Sequence, residues 1–323
     1  MTELSKMVEE PMKRSKAWMV AALACLAGGS ECFAQLSEED ARAMEAAAAD
    51  ADGGYAWRAV ETLEQMAKRH PESYVVAYEL GYAQMANMEY AKAAETFRRL
   101  ESHKEADDRA WQMEGNALDY LGRRGDASRA YRRGLERHPR SGRLLMEMGN
   151  MKMADGDYDG AVEMFVRGVE AEPGFSSNYY RAAWLLLQSN MAASGLALGE
   201  AFLMIEPMGE RAKTMVRMIG DTYMAMARGG DMTTARKVSE VKRAMLATRR
   251  GESESDKAAE IMTALEEAIM GAGHWGAYCA WLTKESDRDG FGAWMTFHEQ
   301  EMESFATWFG GEGGRKREVI FGK

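Results

Sequence analysis

The sequence predicts an all-α chain: a solenoid of helix-turn-helix repeats followed by a divergent helical C-terminal cap. Three observations predict it. Pro139, Pro173 and Pro207 stand 34 residues apart, as do Gly81, Gly115 and Gly149. The small residues Ala93, Ala127, Ala161 and Gly195 and the aromatics Phe97, Tyr131 and Phe165 keep the same period. A 34-residue period is that of a two-helix unit stacked on copies of itself. The composition agrees: 5 prolines in 323 residues, with abundant Ala, Met, Leu, Glu and Arg, favour helix over strand. In such an array each repeat buries its apolar face against its neighbours.

In chain order, residues 1–34 read as a secretory signal. Lys13, Arg14 and Lys16 precede the apolar run Ala17 to Ala27; Gly28-Gly29-Ser30 breaks it, and Cys32-Phe33-Ala34 offers small residues for cleavage after Ala34. The run is roughly half of the ~20 residues needed to span a membrane. Ala22-Leu23-Ala24-Cys25 loosely resembles a lipoprotein site, but Ala22 stands where leucine belongs, so a lipid anchor is disfavoured. Met1 to Pro11 is acidic and atypical of a signal, which makes Met12 a second candidate start. No later stretch is apolar enough to span a membrane. The chain is therefore expected to be exported, periplasmic or secreted.

Five repeats follow, at 40–73, 74–107, 108–141, 142–175 and 176–209, the pattern being strongest over 74–207. The third shows the plan. Trp111, Gly115 and Leu118 recur at helical spacing, Leu121-Gly122 ends the first helix, and Asp126 is placed to cap the second. Ala127, Tyr131 and Leu135 form the second helix's inner stripe, with Tyr131 expected to pack on the following repeat. Pro139 marks the exit. The fifth repeat has Gly199 where others have an aromatic. The first is alanine-rich and reads as an N-terminal cap. Glu105 interrupts the proline series between Pro71 and Pro139. His70 and His138 each precede a repeat-ending proline, where a helix C-terminus favours a partial positive charge.

Beyond Pro207 a longer helical pair is expected over 210–247, then a polar linker at 248–256. Helices rich in tryptophan fill 257–309 (Trp275, Trp281, Trp294, Trp308), and 310–323 reads as a tail. The helical spacing of these tryptophans favours core packing over a sugar-binding platform.

The sequence offers no catalytic constellation. His298-Glu299 lacks the second histidine of a zinc-protease helix, since Met302 holds that place. The Gly310–Gly314 segment lacks the context of a phosphate loop, and Cys279 has no histidine partner in view. An enzyme, a cofactor and a metal are not expected. A net charge of −10 disfavours nucleic acid as partner.

The repeat pattern resembles the tetratricopeptide repeat family on Trp111, Leu80-Gly81, Met148-Gly149, Ala93, Ala127, Ala161, Phe97, Tyr131, Phe165 and the three prolines. It departs at Glu114, where the family has leucine, and at Gly199. The resemblance implies a right-handed superhelix whose first helices line a concave groove that binds a protein or extended peptide. Its groove positions fall here on Tyr78, Tyr82 and Met85 in the second repeat and on Gln112, Asn116 and Tyr120 in the third. In the fourth they fall on Met146, Asn150 and Met153, and in the fifth on Tyr180, Trp184 and Gln188. Asn116 and Asn150 are equivalent, and an amide carries both a donor and an acceptor for a peptide backbone. The family's chaperone-tail clamp is not matched, because Gln112 and Met146 stand where its lysine would help. Tyr82 and Tyr120 are expected to carry partner capture without supporting the fold. The implied function is a non-enzymatic exported scaffold for envelope or secretion-complex assembly. The alternative is a self-associating structural subunit whose groove is covered by its own C-terminal helices.

Overall fold

The computed structural model describes residues 36–189, 191–206, 208–229, 270, 271, 273, 275, 277, 278 and 298–308. The leader, Pro207, the second helix of the 210–247 pair, the 248–256 linker, most of the 257–309 cap and the tail lie outside the described residues. Every regular element among those described is an α-helix. In order they are α1 (Glu38–Asp52), α2 (Ala56–Arg69), α3 (Tyr74–Ala86), α4 (Tyr90–Leu100), α5 (Asp108–Tyr120), α6 (Arg124–Arg137), α7 (Gly142–Ala154), α8 (Tyr158–Ala171), α9 (Ser176–Leu187), α10 (Ala192–Ile205) and α11 (Glu210–Gly229). They fall into two compact units that divide between Gly156 and Asp157. No helix among the described residues is long and apolar enough to cross a membrane.

The first unit holds α1 to α7. Its first helices share a start signal. Ser37, Ser73, Asp107 and Ser141 each accept a backbone N–H of the helix that follows, from Asp40, Val76, Arg109 and Leu144. The last three caps are one period apart, and Pro-X-Ser at 71–73 and 139–141 carries the signal. Asp126 does not cap α6. It lies inside the first turn of that helix and accepts the Arg123 guanidinium at 2.8 Å.

Within a hairpin, an aromatic of the second helix sits on a glycine of the first. A Cβ on Gly81 would lie 2.7 Å from Phe97, and one on Gly115 2.1 Å from Tyr131. Tyr131 thus fills its own hairpin rather than the next, and its hydroxyl donates to Asn116 at 2.7 Å. The joint to the following repeat is made at Gly134 instead, which Leu144 and Trp111 approach to 2.6 and 2.7 Å of a would-be Cβ.

The histidines do more than complement a helix end. His70 and His138 are indeed the C-caps of α2 and α6. Each also reaches back to the first helix of its own hairpin: His70 Nε2 lies 2.9 Å from Asp40, and His138 packs edge-on to Trp111 at 5.1 Å. His103 stands 5.3 Å from the Tyr74 ring in the same way. The interrupted proline series has a structural counterpart there. α4 is 11 residues long, against 14 for α2 and α6. The freed chain at 102–105 walls a cavity of about 360 Å³ with Glu72, Ser73 and Tyr74.

Gly54, Gly122 and Gly156 hold positive φ in the turns of their hairpins, at 86°, 74° and 78°. Met88 occupies the same place in the period with φ 60° and a side chain 74% exposed. A side chain in the left-handed region costs about 1–2 kcal/mol, while glycine gives back about 0.5–1 kcal/mol through its looser unfolded state. Met88→Gly is therefore expected to stabilise the protein by about 0.5–1 kcal/mol. A urea midpoint that falls on substitution would contradict the strain.

Glu114 is the residue that departs from the family pattern, and the structure surrounds it with charge. Its equivalents are Leu80 and Met148. The carboxylate, 5% exposed, accepts Arg133 at 2.5 Å and Arg98 at 3.2 Å. Arg133 also binds Glu101 at 2.7 Å. Burial, then the neighbouring Glu101, pushes the Glu114 carboxyl up to about 7. Glu101 moves the other way: burial opposes, but hydrogen bonds from Glu114 and Arg133 hold it below the ordinary carboxylate range.

The second unit holds α8 to α11. Gly168 gives Asn178 its place, with a would-be Cβ 2.3 Å from the amide. Gly195 lets α10 approach the backbone of α9 at Leu187. Gly199 reverses the shape rule of the first unit. The second helix is hollow here, and Met215 and Ile219 of α11 enter, 2.8 and 3.1 Å from a would-be Cβ. The repeat phase therefore runs past residue 207 into α11. Arg211, Ala212 and Met215 stand three periods after Arg109, Ala110 and Met113. Ala212, Met215, Ile219, Tyr223 and Met226 form its buried stripe. Trp275 is 1% exposed and packs on Tyr223 and Tyr278, which makes it core rather than a sugar platform.

Candidate functional site

In the first unit, α1, α3, α5 and α7 contact one another in succession. No pair of second helices touches comparably among the described residues. Closer spacing puts the first helices on the inner side of the curve, the face on which the sequence places a partner.

Of the predicted residues on this face, Tyr78, Gln112, Asn116, Tyr120 and Asn150 reach its surface. Tyr120 is 52% exposed and stacks on Tyr90 at 4.9 Å with the rings 10° apart. Tyr78 lies under the Arg109 guanidinium at 5.4 Å and against the edge of Phe97. Gln112 donates to Glu147 at 2.6 Å, and Asn150 donates to the same carboxylate at 2.9 Å. The Asn116 carbonyl oxygen is taken by the buried Tyr131 hydroxyl. That bond turns the amide N–H₂ of Asn116 away from Tyr131, one helical turn from the carbonyl of Gln112. Burial first, then the charges of Glu147 and Asp119, keeps the Tyr131 phenol protonated and donating.

The remaining predicted residues of this unit pack inward. Met85 and Met153 are 2% exposed, and Tyr82 and Met146 are buried as well. Tyr82 also donates to Asp52 at 3.3 Å across to α1. Their positions fix a helix face, but a flexible methionine on that face folds into the gap beside its neighbour. Tyr82 is thus a packing residue, and the expectation that it carries partner capture without supporting the fold is not met. In the second unit Tyr180 and Trp184 are buried and Gln188 is exposed. Arg211 lies 5.4 Å over the Tyr180 ring while it holds Glu206 and both Ser176 and Ser177.

Sequence positions alone passed over Glu147, because it lies one residue outside the groove series. Its signal was there: a carboxylate three residues before Asn150 on the same helix, with Gln112 near one period earlier. No group of metal-binding side chains occurs among the described residues.

A family model described as tetratricopeptide repeat matches residues 44–110 and 113–174. No curated protein matches the chain. Among solved structures, MamA from Desulfovibrio magneticus is similar at 13% identity and TM-score 0.40, over 53% of this chain and 97% of that one. The C-terminal part of a TPR repeat-containing protein from Cytophaga hutchinsonii gives 10% identity and TM-score 0.45, over 76% and 96%. YrrB, described as a TPR protein with an unusual peptide-binding site, gives 17% and 0.36, over 53% and 89%. These scores are low, and the architecture rests on this chain's own helices and period.

Proposed function

We propose, from the match of residues 44–110 and 113–174 to the tetratricopeptide repeat family, that this chain is a non-enzymatic scaffold. Its first-unit inner face holds an extended segment of a partner protein. The observation that carries this reading is the amide pair on α5. Asn116 offers a fixed donor and Gln112 an acceptor one turn away, and both are held by side chains of neighbouring helices. An extended backbone presents donor and acceptor alternately and is met by such a pair. Tyr120 beside them supplies exposed aromatic area, the kind of contact that dominates binding energy.

The export pattern at residues 12–34 supports a place in the periplasm or outside the cell, in envelope or secretion-complex assembly. Alkaline phosphatase fused after residue 40 tests that point: activity is expected, and its absence would put the chain in the cytoplasm.

For the binding reading, Tyr120→Ala is expected to weaken capture of crosslinked envelope partners by about tenfold or more, with the melting temperature unchanged. Tyr82→Ala is expected to lower the melting temperature. If Tyr120→Ala leaves capture intact, the inner face is not the contact surface. Crosslinking that returns only copies of this chain would favour the self-associating subunit.

A further inference from the structure

We propose that the inner face of the first unit selects segments carrying a lysine or arginine, whose cation docks on Glu147; this rests on the peptide-binding reading above. Glu147 is half-buried on α7. One of its carboxylate oxygens accepts Gln112 Nε2 at 2.6 Å and the other accepts Asn150 Nδ2 at 2.9 Å. Two neutral amides from adjacent repeats hold the carboxylate in place and leave its charge uncancelled. Among the described residues no cation pairs with it.

The charged groups around it explain why. Arg143, one turn earlier on α7, points across to α5 and lies 3.8 Å from Asp108. Arg109 is bound to Asp107. Asp119, on α5, is exposed, and Arg124 approaches it to 3.7 Å while pairing more closely with Asp155 at 2.7 Å. From α6 the Tyr131 hydroxyl also faces this way, already donated to Asn116. The Asn150 carbonyl oxygen is buried and has no donor.

The cluster therefore has a surplus of acceptors and a fixed negative charge. An ammonium or guanidinium brings donors only and a full positive charge, so it satisfies both deficits at once. A carboxylate in the same place would add repulsion. Asn116 and Gln112 grip backbone regardless of sequence, whereas Glu147 distinguishes one side chain from another.

The test uses the full chain, immobilised, and a random decapeptide library, with the retained pool read by residue frequency. Enrichment of Lys or Arg at one position is expected. Glu147→Gln keeps the acceptor for Gln112 and the shape of the side chain. It is expected to retain peptides but lose that enrichment, with about tenfold weaker binding of the lysine-containing peptides. A retained pool without basic enrichment, or equal enrichment in Glu147→Gln, overturns the cation site and leaves the peptide face standing. Retention of no peptide by either protein overturns both.

Discussion

Gly115→Ala is expected to destabilise the protein by about 3 kcal/mol, the upper range for overpacking a filled core. The cause is local. The added methyl would lie 2.1 Å from Cε1 and 2.6 Å from Cζ of Tyr131, which is 2% exposed and tied to Asn116 through its hydroxyl. Neither partner can yield easily. The glycine is in mid-helix, and the ring is enclosed by its own hairpin. A helix-propensity argument predicts the opposite sign, because alanine is favoured over glycine inside a helix by about 1 kcal/mol; the steric contact outweighs it.

The double variant separates the two effects. Tyr131→Leu alone leaves a void over Gly115 and is expected to cost about 2–3 kcal/mol. Combined with Gly115→Ala it is expected to cost less than the two single changes added together, by about 2 kcal/mol of coupling. Additive single losses in urea unfolding would mean that the ring does not rest on the glycine. Gly199→Ala is a control in the other unit. Its would-be Cβ meets the flexible end of Met215, so a smaller loss is expected there.

The common period of Gly81 and Gly115 and of Phe97 and Tyr131 was legible in the sequence; that each aromatic rests on the glycine of its own hairpin was not. Tyr131 serves its own hairpin, and the joint to the next repeat falls on Gly134, a role that Gly168 repeats one period later. The switch at Gly199 was visible only as a missing aromatic. The compensating Met215 and Ile219 come from α11, beyond the last proline. The site was legible to the level of a face. Position in a repeat placed Tyr120, Asn116 and Gln112 at the surface. It placed Met85 and Met153 on the same stripe, but their long side chains turn into the core. Glu147 was missed because a hydrogen-bonded carboxylate is recognised by its partners, and one of these, Gln112, is in the preceding repeat.

Arg133→Met is expected to cost about 3–5 kcal/mol at pH 8, the range for breaking a buried ion network by removing one side of it. Arg133 hydrogen-bonds both Glu101 and Glu114, at 2.7 and 2.5 Å. Without it Arg98 remains, 3.2 Å from Glu114 and 3.9 Å from Glu101, on a side chain 56% exposed. The loss depends on pH. The Glu114 carboxyl is raised from 4.5 to about 7, so its contribution is present below pH 4.5 and is lost as pH rises through about 7. Glu101 is lowered, so its contribution is present above its ordinary value and lost as pH falls. With the Glu114 hydrogen bond, Arg133 holds Glu101 down, and its charge limits the rise of Glu114. Removing it leaves two carboxyls that repel once both ionise, and the variant should lose more stability than the wild type between pH 5 and pH 8. Urea midpoints at the two values measure this directly. Adding Glu114→Leu to Arg133→Met installs the side chain that Leu80 holds one repeat earlier, removes the repulsion and should restore most of the stability at pH 8. Equal losses at both pH values, or a double variant no better than Arg133→Met, would show that the network is not what holds α4, α5 and α6 together at this joint.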